Sequence, residues 1–373
     1  MTPILLLTAS LSLQPADLRE AAAVTQLLTS LRAADATVCA LAGRTLTNQW
    51  GGWDVDVAMP VPIPTPTPMP HVGGNEARGV ARPAATRAGS LTSAALAVYR
   101  AALTDSSRCV RHIAVRMVAR ERPAWAATEF TRLATDAEAE RREAGLLGLG
   151  ELEDPQTIRL MTTALGDRER AVRAMAAWAL GAVKRRETIP ALSGALADTA
   201  SEVRTRAAWA LGRVEDEAAL PSLERALADA SADVRRMALW AVGAIESPRG
   251  VALVRRAIAD RDAGARRMAA WALGAIEDAS GVDVLRPLAA DTDSHVRHMV
   301  AWALGKIEQT SAVVVLTPLL KDVDEDVRAI AAWALGQIDS ASALAALEAA
   351  RDDRSPSVRV AVRWAIAQID DRR

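Results

Sequence analysis

The sequence predicts an all-α fold: a right-handed α-solenoid (superhelix) of about nine helical-hairpin repeats with an irregular N-terminal segment. Three observations predict it. Tryptophan recurs every 31 residues, at Trp178, Trp209, Trp240, Trp271, Trp302, Trp333 and Trp364, with no insertion or deletion between them. Aspartate keeps the interval at Asp105, Asp136, Asp167, Asp198, Asp229, Asp260, Asp291, Asp322 and Asp353. Arginine keeps it from Arg111 through Arg204, Arg235, Arg266 and Arg297 to Arg359, so nine units are present. Self-similarity at a period of this size marks an array in which each unit buries its apolar face against its neighbours.

From the N-terminus, residues 1–16 read as a possible truncated signal segment: they carry no charge, and the apolar run Ile4 to Leu7 precedes small residues, but the basic start is missing. Residues 17–47 read as a helical N-terminal cap, because Val38-Cys39 echoes Val110-Arg111 and caps shield the open end of a solenoid. Residues 48–92 read as a Pro-rich flexible linker, in which Trp50-Gly51-Gly52-Trp53 leads into PVPIPTPTPMP, a polyproline II composition. Residues 93–373 hold the array. Its last unit departs from the pattern at Arg363 and Ala367 and ends in the charged tail Asp370 to Arg373, which reads as a solvated cap. No segment reaches the roughly 20 apolar residues needed to span a bilayer.

Within a unit, Glu202 to Val214 (EVRTRAAWALGRV) on a wheel of 100° per residue places Val203, Ala207, Ala210, Leu211 and Val214 on one stripe. This is the core face of the unit's second helix, and Asp198 or Ser201 can cap its start. Upstream, Leu192 and Leu196, or Leu220, Leu223 and Leu227, space a shorter first helix with Pro190 or Pro221 tolerated in its first turn. Alanine six residues after the arginine (Ala210, Ala241, Ala272) brings facing helices close. Gly212 and its equivalents either permit that approach or loosen the helix for its turn.

The pattern D-x5-V-R-x3-A-x-W-A-L-G-x-I, repeated at 31 residues, resembles HEAT repeats of the phycobilisome-lyase-like subclass, over roughly residues 93–373. The resemblance implies that second helices line the concave surface and first helices the convex one. It also implies that Asp198, Arg204, Asp229, Arg235, Asp260, Arg266, Asp291 and Arg297 form a structural ladder tying neighbouring units together. For activity it is unspecific, since such arrays scaffold many functions.

On the wheel Trp209 lies roughly 145° from the centre of the core stripe, which turns the tryptophans toward the concave side. Neighbouring positions carry Met175, Met237, Met268, Met299, Arg236, Arg267 and His298, so the expected groove is apolar with a basic fringe. At about 200 Å² per indole, half-exposed rings would give on the order of 700 Å² of aromatic surface, which marks an interaction site. The alternative is that each indole lies across the adjacent second helix and serves inter-unit packing. Trp240, Trp271 and Trp302 are the expected anchors, because cations and methionines cluster around them.

The formal net charge of −1 argues against a generic nucleic-acid binder. The histidines are His71, His112, His295 and His298. Of these, His295 and His298, with Asp291 and Asp293 nearby, are a conceivable metal site, but no other unit repeats them, and a surface role is favoured. Deoxyhypusine hydroxylase, an enzyme of the same broad HEAT-like type, holds iron through His-Glu dipeptides, and this chain has none. HExxH, GxxxxGK[ST] and GxGxxG are absent too. Cys39 and Cys109 could pair in an oxidising compartment. The expectation is a non-catalytic, monomeric scaffold without cofactor or metal that binds a protein or peptide, with export to the periplasm slightly favoured over the cytoplasm. The alternatives are a bilin lyase or chaperone-like protein and a HEAT-like nucleic-acid binder.

Overall fold

The fold is that of a computed structural model, which describes residues 20–34, 37–39, 42 and 91–371. The expected leader (1–16), most of the expected linker (48–92) and the remainder of the expected cap lie outside them. The described residues contain helices and turns and no strand. They form an all-α solenoid and fall into two compact units, one ending at Ala191 and one beginning at Leu192.

In the first unit α1 (Ala21–Leu31) packs on α2 (Ser93–Ala102) and α3 (Arg108–Glu121). Then follow α4 (Ala126–Ala134), α5 (Ala139–Leu152), α6 (Ile158–Ala164) and α7 (Arg170–Ala182), with α3 packed on α5 and α5 on α7. Cys39 and Cys109 are joined by a disulfide. Arg32 donates through Nε and Nη2 to Asp105, fixing the end of α1 to the turn after α2.

A helix α8 (Ile189–Ala195) spans the boundary. The second unit alternates long and short helices: α9 (Ser201–Val214), α10 (Leu220–Ala226), α11 (Ala232–Ala244), α12 (Gly250–Val254), α13 (Ala263–Ile276), α14 (Gly281–Leu285), α15 (Ser294–Ile307), α16 (Val313–Leu319), α17 (Glu325–Ile338), α18 (Leu344–Ala349) and α19 (Pro356–Asp371). The long second helices α9, α11, α13, α15, α17 and α19 pack side by side as one layer. Each short helix packs on the second helix of its own hairpin. Val203, Ala207, Ala210 and Leu211 are buried, as the wheel places them. Where an aspartate stands just before a second helix it caps it: Asp262, Asp293 and Asp324 each accept first-turn N–H groups.

The helix ends decide between the two roles left open for the ladder glycine. The left-handed residue that closes the second helices is not the ladder glycine but a residue three positions later: Glu215, Glu246, Glu277, Glu308 and Asp339 have φ between 53° and 56°. Glycine is the ordinary choice there. The ladder glycines lie inside the helices and serve close approach instead.

Candidate functional site

The arginine ladder is a repeated fork. Arg204 donates through Nη1 to the Asp198 carbonyl of its own hairpin, at 2.9 Å. Its Nε and Nη2 grip both carboxylate oxygens of Asp229, one hairpin on, at 2.7 and 2.8 Å. Arg235–Asp260, Arg266–Asp291, Arg297–Asp322 and Arg328–Asp353 repeat the geometry, as does Arg142–Asp167 in the first unit. Each of these aspartates also accepts the backbone N–H two residues on, as Asp229 does from Ser231. Burial alone would raise the Asp229 carboxyl, but the bonds from Arg204 and Ser231 override it and hold it below its ordinary value. Bonding from Arg266 is the leading cause at Asp291, and from Arg328 at Asp353. All the groups of the fork are mutually satisfied, so it leaves little capacity for a ligand.

The tryptophans use the ladder glycines as sockets. A Cβ placed on Gly212 would sit 2.8 Å from the Trp240 ring and 2.7 Å from the Ala241 Cα. Gly243 stands in the same relation to Trp271, Gly274 to Trp302, Gly305 to Trp333, Gly336 to Trp364 and, in the first unit, Gly150 to Trp178. Each indole rim therefore covers the bare backbone of the preceding second helix, and any side chain there would push the two helices apart. Trp209, Trp302 and Trp333 are 3%, 8% and 7% exposed, whereas Trp178, Trp240, Trp271 and Trp364 are half-buried. Met175, Met237, Met268 and Met299 are buried outright.

The expected groove is thus narrower and more polar than the wheel implies. A second helix in this layer is flanked by second helices on both sides, so residues 90° or more from the core stripe are still covered. What stays accessible is a strip of i, i+3 and i+4 neighbours: Asp233, Arg236 and Trp240 on α11; Gly264, Arg267 and Trp271 on α13; His295 and His298 on α15. Arg236 pairs with Asp262 at 3.3 Å and with Asp233 on its own helix. Burial holds His298 below the ordinary histidine value, against the pull of Asp326 and Asp324. His295 Nδ1 lies 3.4 Å from Asp293. Among the described residues no three His, Cys, Asp or Glu side chains converge as a metal site would require. Nor is any described helix long and apolar enough to cross a membrane.

Sequence reasoning missed the pairing of each ladder glycine with the next indole, although the constant offset between the two residues was visible. It also missed the break at Gly264, where the neighbouring hairpins carry Glu202, Asp233, His295 and Asp326.

The family described as HEAT repeats matches this chain over residues 158–241, 226–297, 251–332 and 282–367, more than half its length. The chain is a HEAT-repeat protein. No curated protein sequence matches it. Among solved structures, importin beta is similar at 14% identity and a TM-score of 0.59, over 94% of this HEAT-repeat chain and 52% of importin beta, so the chain spans about half of that protein's length. The CpcE and CpcF complex of phycocyanin lyase from Nostoc is similar at 22% identity, over 57% of this chain and 94% of that one, with a TM-score of 0.38. Human deoxyhypusine hydroxylase is similar at 24% identity, over 68% and 98%, with a TM-score of 0.31. At these identities the importin likeness speaks for the solenoid fold, and the other two carry no further argument.

Proposed function

We propose that this protein is a non-catalytic, monomeric HEAT-repeat scaffold that binds a protein or peptide along the second-helix face of residues 232–307. One observation carries the reading: Arg236 and Arg267 each stand four residues before a half-buried ladder tryptophan, so a cation and an indole rim share the accessible strip of two successive second helices, with His298 next along it. The ladder aspartates and arginines are consumed in holding the hairpins together, and the strip is what they leave free. Export to an oxidising compartment belongs to the same reading and is supported by the Cys39–Cys109 disulfide.

The test is a pull-down from the native host with wild type and with the triple variant Arg236→Ala, Arg267→Ala, His298→Ala, whose half-buried positions leave the core intact. A partner recovered by wild type and lost from the triple variant is the expected result. Equal recovery by both proteins would remove this face from consideration.

A further inference from the structure

Arg267 is a cation in a repeat that has lost its counter-charge. One hairpin earlier, Arg236 is neutralised by Asp233, three residues before it on the same helix, and by Asp262 at the start of the next second helix. The residue three before Arg267 is Gly264, and the corresponding next-helix aspartate is Asp293. Glycine offers no counter-charge, and Arg267 forms no ion pair with Asp293. Asp293 is engaged elsewhere: its Oδ1 accepts the His295 and Val296 N–H groups and lies near His295 Nδ1.

Ala263, Gly264, Arg267, Asp293 and His295 line an open notch of about 180 Å³. The notch lies beside the Gly264 backbone, where Arg236 and the Asp262 carboxylate come within 3.0 Å of the place a Cβ would take. The half-buried Arg267 guanidinium borders the notch, and a guanidinium is satisfied best by a carboxylate held by two parallel bonds.

We propose that the notch is a subsite for an acidic side chain, a glutamate or aspartate of a partner segment lying along the second-helix face. The entering carboxylate pairs with the Arg267 guanidinium from the open side of the notch, as Asp233 and Asp262 pair with Arg236. Peptide N–H groups flanking it face Asp293, and the half-buried Trp271, four residues on from Arg267, lies next along the strip. The partner chemistry is therefore acidic, which deepens the reading of this face as a partner surface and rests on it.

The probe is hexaglutamate with both termini capped, so that side-chain carboxylates are its only charges, with capped hexalysine as control. Binding to the full chain is read by fluorescence anisotropy and by the arginine Nε–Hε signals in ¹⁵N NMR, with the Arg267 signal assigned by its loss in Arg267→Lys. The expected result is a saturable shift of the Arg267 signal and no binding of hexalysine. Gly264→Asp, which restores the internal counter-charge, and Arg267→Gln should each weaken hexaglutamate roughly tenfold or more. Circular dichroism checks that both variants fold, and Arg267→Gln alters no packed position. An unshifted Arg267 signal, or undiminished binding by both variants, overturns the subsite. The two readings fail separately: a partner that leaves the Arg236, Arg267, His298 triple variant yet binds Gly264→Asp unchanged overturns the acidic subsite and keeps the face.

Discussion

The two units keep one 31-residue frame with different chemistry. In the second, five Arg–Asp forks and a series of indole-on-glycine contacts repeat with almost constant geometry. In the first, Arg142–Asp167 and Gly150 on Trp178 keep the pattern, but the two earlier hairpins fill the indole position with Arg116 and Leu147, and helix contacts run there through Gly145 on Ala134 and Gly148 on Phe130. Ion pairs Arg108–Glu143 and Arg116–Glu151 join α3 to α5 there, and burial pushes the Glu151 carboxyl up despite Arg116. The fork also breaks: Asp136 lies near Arg132 and Arg141, and Arg111 holds only the carbonyls of its own turn. The period thus specifies helix length and spacing, while the means of holding neighbours is open to substitution where a disulfide and α1 add support.

Acid should separate the units most. The folded values of Asp229, Asp260, Asp291, Asp322 and Asp353 are depressed. Their contribution is therefore complete above the unfolded aspartate value near 3.9 and is lost as pH falls through the lower folded values. Indole N–H NMR signals of Trp271 and Trp302, followed from pH 5 to 2, should collapse together below about pH 4. Retention of both at pH 2 would mean that the forks carry little of the second unit's stability.

Single substitutions sharpen the contrast. Trp333→Ala removes a buried indole from its glycine socket and should cost about 3 to 5 kcal/mol in urea unfolding. A cost under about 1 kcal/mol would show that the ladder is peripheral. Cys109→Ser should lower the first unit by about 2 to 4 kcal/mol. Hydrogen exchange in α13 to α17 should stay unchanged, and loosening there would contradict the division into units.

The fold was legible because it rests on spacing: hairpin count, helix faces and the arginine register follow from one interval. The site was less so. A wheel treats a helix as packed on one side, whereas α11 or α13 is packed on three. Hence Met237 and Met268 sink into the core, while Arg236, Arg267 and the rims of Trp240 and Trp271 stay partly accessible. The glycines show the same limit, since only the packed pair reveals what each one faces. Gly243→Ala should cost about 1 to 3 kcal/mol by forcing Trp271 and Ala272 away. Gly194→Ala, with nothing within 4 Å, should stabilise by up to about 1 kcal/mol. The opposite signs, read from the two thermal midpoints, separate socket from propensity.

The smallest effect concerns the helix ends. Glu308 is exposed, has φ 54° and closes α15, where a left-handed backbone and the negative end of the helix dipole both disfavour it. Glu308→Gly removes both penalties and restores some unfolded-chain entropy, for a net gain of about 0.5 to 1 kcal/mol. A matching stabilisation in urea would mean that the acidic residues at these ends oppose the fold slightly, hairpin after hairpin. No gain, or a loss, would show that Glu308 makes up for its backbone through an interaction with solvent-facing groups of its own turn. The regularity of Glu215, Glu246, Glu277 and Glu308 would then belong with the forks and sockets that hold the array.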